Sequence, residues 1–551
     1  MGRAAPDSAD SSRLDRAETE SPTPTHAFVR DRRWWAALIL FFVLAAAWAF
    51  ASPLFSVPDE AAHTVKAAAV DRGELLGRKL AVPDKPGTIL RGGFTVVVRV
   101  PTSYTWNSSD LPNCYISTPR TPASCAPKFV DNPHEARWTT WVGRYPPTYY
   151  ALVGWPTLFN TGTLSVYLGR LLSAVLFAAL LATAIACAWE APEFRLLALG
   201  VVLAATPTAV FLAGGVNPSG LEIAAAICLW SSLSVAVLAD RPVVPTHLLV
   251  AVAASGIVLT ITRPISALWV VLAVGTVLAL AHRDRIVDLL RRHSSRIVAG
   301  LVTAAVIAGA AWTLLAGTLG NEEGEDPRGL DFVHALRHSL RRTPTFFREM
   351  VGVFGWRTTP APTLVYWAWG AVLLVVVVLA LRYAGRRAAW TVVTLIGLAI
   401  LVPVVLEAAN AHDKGFSWQG RYGLPLAVGI PIVAAVTLGR AAPLSRRATA
   451  WLAGGVTGVV ALVQVVAFYG ALRRYAVGTA GPLVFFGHAG WEPPLPAWLL
   501  VLAVLGASAG LAALTYRVAT GPSPRGNITT VDDPGAPASS TTPATGSVPS
   551  S

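Results

Sequence analysis

Runs of apolar residues dominate the sequence, and many of them approach or exceed the roughly 20 residues that a helix needs to cross a bilayer. Of the 551 residues, 54% are hydrophobic and only 14% are charged. Soluble domains carry about 25% charged residues, so a cytosolic enzyme is nearly excluded. The pattern predicts an all-α polytopic membrane protein with about twelve transmembrane helices.

The individual crossings follow from the positions of the apolar runs. One stretch, 248–281, is interrupted at Thr262-Arg263-Pro264 and is too long for one helix yet barely long enough for two. Another, 147–159, is too short to cross and is either re-entrant or interfacial. The remaining spans are expected near 34–51, 164–189, 195–213, 219–239, 297–317, 362–383, 388–406, 422–438, 449–469 and 496–515.

The basic residues give the orientation. The net charge is +13, and arginines gather in short loops, as the positive-inside rule expects. If 248–281 crosses twice, most of these loops share one side, which favours a multi-pass protein of the cell membrane with both termini cytoplasmic. The same explanation makes a nucleic-acid partner unnecessary. We expect disordered tails over 1–29 and 518–551, flanking a membrane domain over 30–517.

Two long loops then lie outside, at 53–146 and 318–361. The second contains apolar residues at helical spacing with arginines on the other side, which predicts an interfacial amphipathic helix. Cys114 and Cys125 share the first loop, where a disulfide is plausible. The apolar positions of the amphipathic helix are Leu330, Val333, Leu336 and Leu340, and its basic positions include Arg337, Arg341 and Arg342.

The most informative segment follows the first span and reads Pro58-Asp59-Glu60-Ala-Ala-His63. Adjacent carboxylates stand just beyond a membrane exit, and His63 shares a helical face with Asp59. Taken alone, the pattern is well explained by a helix cap in which Asp59 accepts free N–H groups.

This segment resembles the first outer loop of the GT-C superfamily of membrane glycosyltransferases, which use polyprenyl-phosphate-linked sugars. More narrowly, the chain resembles an uncharacterised family of predicted bacterial membrane proteins close to that superfamily. The resemblance covers about residues 34–515. Its further motifs are Arg144-Tyr145-Pro146-Pro147-Thr148-Tyr149-Tyr150, Gly214-Gly215-Val216-Asn217-Pro218, Thr262-Arg263-Pro264, Phe354-Gly355-Trp356 and Gln419-Gly420-Arg421-Tyr422.

The resemblance implies a GT-C-like fold and a site at the outer face. Asp59 would be the catalytic base, with a pKa raised by partial desolvation. Glu60 would either orient Asp59 or join it around Mg²⁺ or Mn²⁺, although some such enzymes need no metal. Arginine suits a leaving lipid phosphate, but it also anchors at headgroups, and tyrosines also form interfacial belts. The expected substrate-binding residues are His63, Arg144, Tyr149, Arg263, Trp356, Gln419 and Arg421.

The leading function is therefore an inverting glycosyltransferase that passes a sugar from a polyprenyl-phosphate donor to an envelope glycan, lipid or protein. Two alternatives remain open: a transporter or flippase of lipid-linked glycans, and a non-catalytic envelope-assembly protein. No phosphate loop and no zinc-protease motif occurs. Two further expectations concern single acidic residues: Glu222 lies within a span and is a candidate polar site, whereas Glu407 begins an outer loop and should be solvated. The sugar, the acceptor and the oligomeric state are left open.

Overall fold

Long helices form most of the chain in the computed structural model, which describes residues 28–81, 94–105, 113–318 and 331–521. Apolar runs become helices in a bilayer because only helices and closed barrels satisfy every backbone polar group there. In chain order the helices are α1 (Arg32–Ala51), α2 (Glu60–Asp71), α3 (Asn113–Ile116), α4 (Thr148–Gly154), α5 (Thr163–Cys187), α6 (Leu197–Ala204), α7 (Pro207–Ala213), α8 (Pro218–Leu238), α9 (Thr246–Thr262), α10 (Ser266–Leu280), α11 (Arg283–Arg291), α12 (His293–Leu315), α13 (Phe332–Arg341), α14 (Thr343–Gly352), α15 (Thr363–Tyr383), α16 (Arg386–Lys414), α17 (Gly420–Ala427), α18 (Gly429–Ala441), α19 (Arg446–Val477) and α20 (Ala497–Thr520).

Within the described ranges, nine helical segments are long and apolar enough to cross a membrane, or eleven if two bent pairs each count as one span. The 17-residue α9 occupies the position of the remaining expected crossing. The chain is thus a multi-pass helical membrane protein, as expected. The expected tails lie outside the described residues, except for 28–29 and 518–521.

Two features of the spans depend on helix breaks. The break expected at Thr262-Arg263-Pro264 is present, since α9 ends at Thr262 and α10 begins at Ser266. The span expected over 195–213 contains a break that the sequence pattern did not predict. It is divided into α6 and α7, which meet at 69°, and Thr206 caps the second helix by accepting from Ala209 N–H at 3.2 Å.

The first long loop contains a small fold that the helical pattern did not predict. Strands β1 (Arg78–Ala81), β2 (Phe94–Pro101) and β3 (Glu135–Thr140) form an antiparallel sheet in that order. The helix α2 packs against the sheet through a small apolar core. In the same loop Cys114 and Cys125 are joined in a disulfide. A second sheet pairs β4 (Val353–Phe354) with β5 (Thr359–Pro360).

Two short helical segments stand apart from the membrane-crossing helices. The stretch 147–159 forms α4 and a short 3-10 helix rather than a crossing, and Leu152, Trp155 and Phe159 are exposed there. The amphipathic α13 likewise exposes Phe332 and Val333. Exposed apolar side chains on short helices of this kind suit the membrane interface.

The helix α8 forms the centre of the bundle, because every one of its residues is buried. It packs on α5, α9 and α10. Its first turn begins at Asn217, whose side chain accepts from Ser219 N–H at 2.9 Å. The Asn217 amide donates to the Pro58 carbonyl at 2.7 Å. The central helix therefore fixes the backbone immediately before Asp59.

Candidate active site

Asp59 stands in a strained turn between α1 and α2. Its φ is 59°, in the left-handed region, which costs a non-glycine residue roughly 1–2 kcal/mol. Asp59 is the residue before the helix, but its side chain makes no capping hydrogen bond. The carboxylate instead accepts from Arg421 Nη2. The capping explanation is therefore wrong for the side chain, which turns away from the helix that it precedes.

The Asp59–Arg421 pair lies at the edge of the protein interior. The Asp59 side chain is 21% exposed and that of Arg421 is 6% exposed. Burial by itself raises the pKa of Asp59, but the positive charge of Arg421, with smaller effects of His63 and Arg263, holds that pKa below its usual value of 3.8. The expectation of a raised pKa is thus wrong for this arrangement, and Asp59 is ionised at neutral pH.

His63 lies one helical turn after Asp59 and is buried. Its Nδ1 is 2.9 Å from the Tyr150 hydroxyl. Burial lowers the pKa of His63 to about 3; the charge of Asp59 opposes this shift, and the guanidinium groups of Arg421 and Arg263 add to it. His63 is therefore neutral beside the carboxylate, and it acts as a hydrogen-bonding group rather than a cation.

Arg263 and Arg421, predicted from separate motifs, meet at Tyr422. The guanidinium carbon of Arg263 is 4.6 Å from the centre of the Tyr422 ring, and that of Arg421 is 5.0 Å away. Arg421 Nη2 also contacts the Tyr422 hydroxyl at 3.2 Å. Arg421 Nε is buried without a hydrogen-bond partner in the described part of the chain. The two arginines thus form one cationic surface around a shared aromatic ring.

The buried Glu222 forms an ion pair with Arg263 of this surface. Its carboxylate accepts from Arg263 Nη1 at 3.2 Å and from the Ser266 hydroxyl at 2.6 Å. The intramembrane carboxylate that the sequence singled out is therefore paired with a predicted phosphate ligand. This contact fixes Arg263 at the break between α9 and α10.

A cavity of about 500 Å³ opens beside Arg263 and the Tyr422 ring that Arg421 also contacts. Arg263, Tyr145 and Tyr422 line it together with polar residues such as Asn410 and Ser417, and apolar side chains from α10, α12 and α16 complete the wall. Glu407 also lines the cavity. The expectation that it is solvated is wrong, because it is buried and accepts from Arg342 Nη1 at 3.0 Å.

Glu60 follows Asp59 in sequence but points elsewhere. It is fully buried and forms a two-point ion pair with Arg170, with Nε–Oε1 at 2.7 Å and Nη2–Oε2 at 2.6 Å. Its Oε1 also accepts from Val216 N–H at 3.0 Å. Arg170 donates further to the carbonyls of Ala49, Ser52 and Pro53 at 2.7–2.9 Å. Both Glu60 oxygens are thus occupied by protein donors.

The expected catalytic or metal-binding role of Glu60 does not fit this geometry. A cation shared with Asp59 would need free carboxylate oxygens on both residues. Among the described residues, no group of three or more His, Cys, Asp or Glu side chains converges to hold a metal. The described residues therefore offer no such ligand set for the Mg²⁺ or Mn²⁺ expected from the sequence, and the contacts of Glu60 are those of a buried ion pair.

The other predicted substrate-binding residues separate into near and distant groups. Trp356 lies near Asp59, because its indole N–H donates to the carbonyl of Phe55, in the segment before Asp59, at 3.0 Å. Gln419 directly precedes α17, the helix that carries Arg421, and its Oε1 is buried and unpartnered in the described structure. Arg144 donates to the Ala316 carbonyl at 3.0 Å. Tyr149 is fully buried and contacts the Ser173 hydroxyl at 2.8 Å, so it packs in the interior instead of facing a substrate.

Two site residues were not on the predicted list. Tyr422 stood within the Gln419-Gly420-Arg421-Tyr422 motif but had no assigned role. Arg170 lies inside the apolar run 164–189, where a charged residue is costly and marks either function or a buried partner. An arginine inside this run could therefore have been recognised from the sequence as a residue with a buried partner, which the structure identifies as Glu60.

Fold and site define a helical multi-pass membrane protein with a carboxylate–arginine site at one end of its bundle. The chain belongs to the family described as "Predicted membrane protein (DUF2142)", whose profile matches residues 41–430.

Two solved structures of ArnT from Cupriavidus metallidurans are similar at a low level. The one bound to undecaprenyl phosphate is 14% identical, with a TM-score of 0.39 over 90% of this chain and 75% of the other. The apo structure is 15% identical, with a TM-score of 0.34 over 83% and 77%. No curated protein matches the sequence.

Proposed function

We propose that the protein is a membrane glycosyltransferase that uses a polyprenyl-phosphate sugar and acts at the extracytoplasmic face. The observation that carries the proposal is the Asp59–Arg421 pair, which is joined through the Tyr422 ring to Arg263, and the cavity that Arg263 and Tyr422 line together with apolar side chains. An amphiphilic donor needs these parts together: cations for phosphate, a carboxylate for the acceptor, and an apolar groove for the isoprenoid.

Asp59 acts as the base in this proposal. The acceptor hydroxyl oxygen attacks the anomeric carbon from the face opposite the phosphate, while its proton passes to Asp59. The bond between the anomeric carbon and the phosphate oxygen breaks, and the polyprenyl phosphate leaves with the electron pair. One displacement inverts the anomeric centre.

Arg421 links donor binding to the strength of the base. In the free protein it pairs with Asp59 and holds the pKa of that carboxyl low. A donor phosphate competes for the same guanidinium, whose Nε already lacks a partner. Transfer of Arg421 to the phosphate removes the largest opposing charge from Asp59, so its pKa rises and it becomes a stronger base.

The test uses full-length protein in proteoliposomes with radiolabelled polyprenyl-phosphate hexoses and pentoses and an envelope extract as acceptor. Asp59→Asn should lower glycan formation by about 10²–10⁴-fold, the usual contribution of a general base. Asp131→Asn is the matched control, since Asp131 is an exposed carboxylate of the same outer loop. Monodisperse elution of both variants shows that they fold.

Three results would overturn the proposal. Normal glycan formation by a folded Asp59→Asn variant would remove the base. Movement of labelled lipid across the bilayer with no new glycosidic bond would favour a flippase. The absence of both transfer and movement, with every donor in the panel, would favour a non-catalytic assembly role.

A further inference from the structure

A second large cavity lies at the end of the bundle opposite Asp59. Its volume is about 550 Å³, within the ~300–1,000 Å³ range of ligand pockets. Its walls come from α8, α9, α10, α11 and α12 and are almost wholly apolar. On α8 the lining residues are Leu229, Leu233, Ala236 and Val237, whereas Glu222 and Asn217 lie nearer the other end of that helix. The cavity is therefore separate from the candidate active site.

A basic amphipathic helix borders this cavity. The helix α11 turns by 118° from α10, and its Ile286, Leu289 and Leu290 line the cavity. Arg285 fixes its position by donating to the carbonyls of Val237 at 3.2 Å and Arg241 at 2.8 Å. The short helix is thus attached to the end of α8, with its apolar side toward the cavity.

The rim carries an excess of positive charge. Residues 283–296 contain five arginines against two aspartates. This segment is fully described, and none of its arginines forms an ion pair in the described structure. Two polar atoms at the rim, Arg292 Nε and Ser295 Oγ, are buried without a hydrogen-bond partner there. Ser295 also lines the cavity.

We infer that this cavity binds an anionic phospholipid of the cytoplasmic leaflet, with an acyl chain between α8, α10 and α12 and the phosphate at Arg292 and Ser295. The apolar walls suit an acyl chain. A zwitterionic headgroup has no net charge and would leave the positive charge of the rim uncompensated. Basic pockets between helices at the cytoplasmic side are suited to anionic headgroups. The inference is independent of the glycosyl-transfer proposal, because it uses none of the same residues.

The test places full-length protein in nanodiscs of equal phosphatidylglycerol and phosphatidylcholine, with a photoreactive acyl chain on one lipid at a time. Crosslinked peptides are quantified by mass spectrometry. Phosphatidylglycerol should label the segments 229–252 and 270–306 at least about fivefold more than phosphatidylcholine, because one arginine near an anionic headgroup contributes about that factor.

Two variants separate headgroup from chain. Arg292→Gln with Arg296→Gln should abolish the preference for phosphatidylglycerol, whereas Arg446→Gln with Arg447→Gln removes two arginines at the start of α19 and should leave it. Gly275 lines the cavity, and a Cβ there meets nothing within 4 Å, so Gly275→Leu should reduce labelling by both lipids. Gly300 is equally unobstructed but is not a lining residue, which makes Gly300→Leu the control.

Equal labelling by the two lipids in the wild type would overturn the inference. So would an equal loss of preference in the Arg446 and Arg447 variant, because the effect would then be general membrane charge. If the Arg292 and Arg296 variant aggregates, the wild-type labelling ratio and the Gly275→Leu result still decide.

Discussion

Asp59 and Glu60 are neighbours in sequence, and each forms an ion pair with an arginine. The two pairs differ in burial and in how completely the arginine is hydrogen-bonded. The Glu60–Arg170 pair is fully buried, and both side chains are 0% exposed. All the N–H groups of Arg170 are directed at a carboxylate or a backbone carbonyl. The Asp59–Arg421 pair is partly exposed on its Asp59 side, and Arg421 Nε has no partner in the described structure.

The difference assigns structural and chemical roles to adjacent carboxylates. Arg170 joins the end of α1 to α2 through Glu60 and the carbonyls of Ala49 and Pro53. A pair so completely satisfied has no capacity for a ligand. Arg421 keeps an unused donor and contacts Tyr422, a residue that lines the cavity, which supports the proposed role of Asp59 in substrate chemistry.

The largest effect is expected from Glu60→Gln. Removing one partner of a buried pair leaves an uncompensated charge and costs roughly 3–5 kcal/mol of folding free energy. Thermal unfolding in detergent should show a much lower melting temperature and a low yield of monodisperse protein. A variant that folds like the wild type but has lost transfer activity would instead place Glu60 in the chemistry.

Arg421→Gln should act on binding. Loss of a charged hydrogen bond of about 1.5–3 kcal/mol should weaken affinity for polyprenyl phosphate by about 10–150-fold, measured by titration of the purified protein. Arg421→Lys should recover part of the affinity, because it keeps the charge without the two-point geometry. Arg137→Gln, at an exposed arginine of β3, is the control. Unchanged affinity in Arg421→Gln would separate the pair from donor binding.

The pH dependence distinguishes the two carboxylates further. Because the folded-state pKa of Asp59 lies below 3.8, the ion pair is fully formed above about pH 4 and is lost only as the pH falls through that lower value. The kcat/KM of the free enzyme should therefore show no acid limb from Asp59 or His63 between about pH 5 and 8. In Arg421→Gln, burial remains and the opposing charge is gone, so the acid limb should move upward. A wild-type limb near pH 6 would contradict the charge state assigned to Asp59.

Much of this site was predictable because its residues share one location in the membrane. Each of these residues, Asp59, Arg263 and Arg421, lies next to an apolar run or at a break in one, on the expected outer side. The expected orientation therefore places all three at one face. The roles of Glu60 and Arg170 were not predictable in this way. Their pairing joins residues 110 positions apart, and hydrophobic periodicity contains no information on which side chains meet across helices.

The sheet of the first loop was missed for a related reason. β1 has only four residues, and β2 and β3 pair across the long segment 102–134, so alternation within each strand is a weak signal. The same limit applies to Tyr422, whose function arises only when α17 brings it between Arg421 and Arg263. Local sequence patterns predicted the helices and the face of the membrane at which the site residues lie. Which side chains pair with one another depends on how the helices pack.

The smallest effect is expected from a third pair in the same loop, whose arginine is exposed. Arg99 Nε lies 2.7 Å from Glu74 Oε1, and the side chains of Arg99 and Glu74 are 66% and 22% exposed. Water solvates both charges after the pair is broken, so Glu74→Gln should leave the melting temperature and transfer activity unchanged within error. A comparison of Glu60→Gln, Asp59→Asn and Glu74→Gln then separates the effect of burial on stability from the effect of the carboxylate on transfer activity. If Glu74→Gln destabilised the protein as much as Glu60→Gln, the outer sheet rather than burial of the Arg170 pair would control the stability of this region.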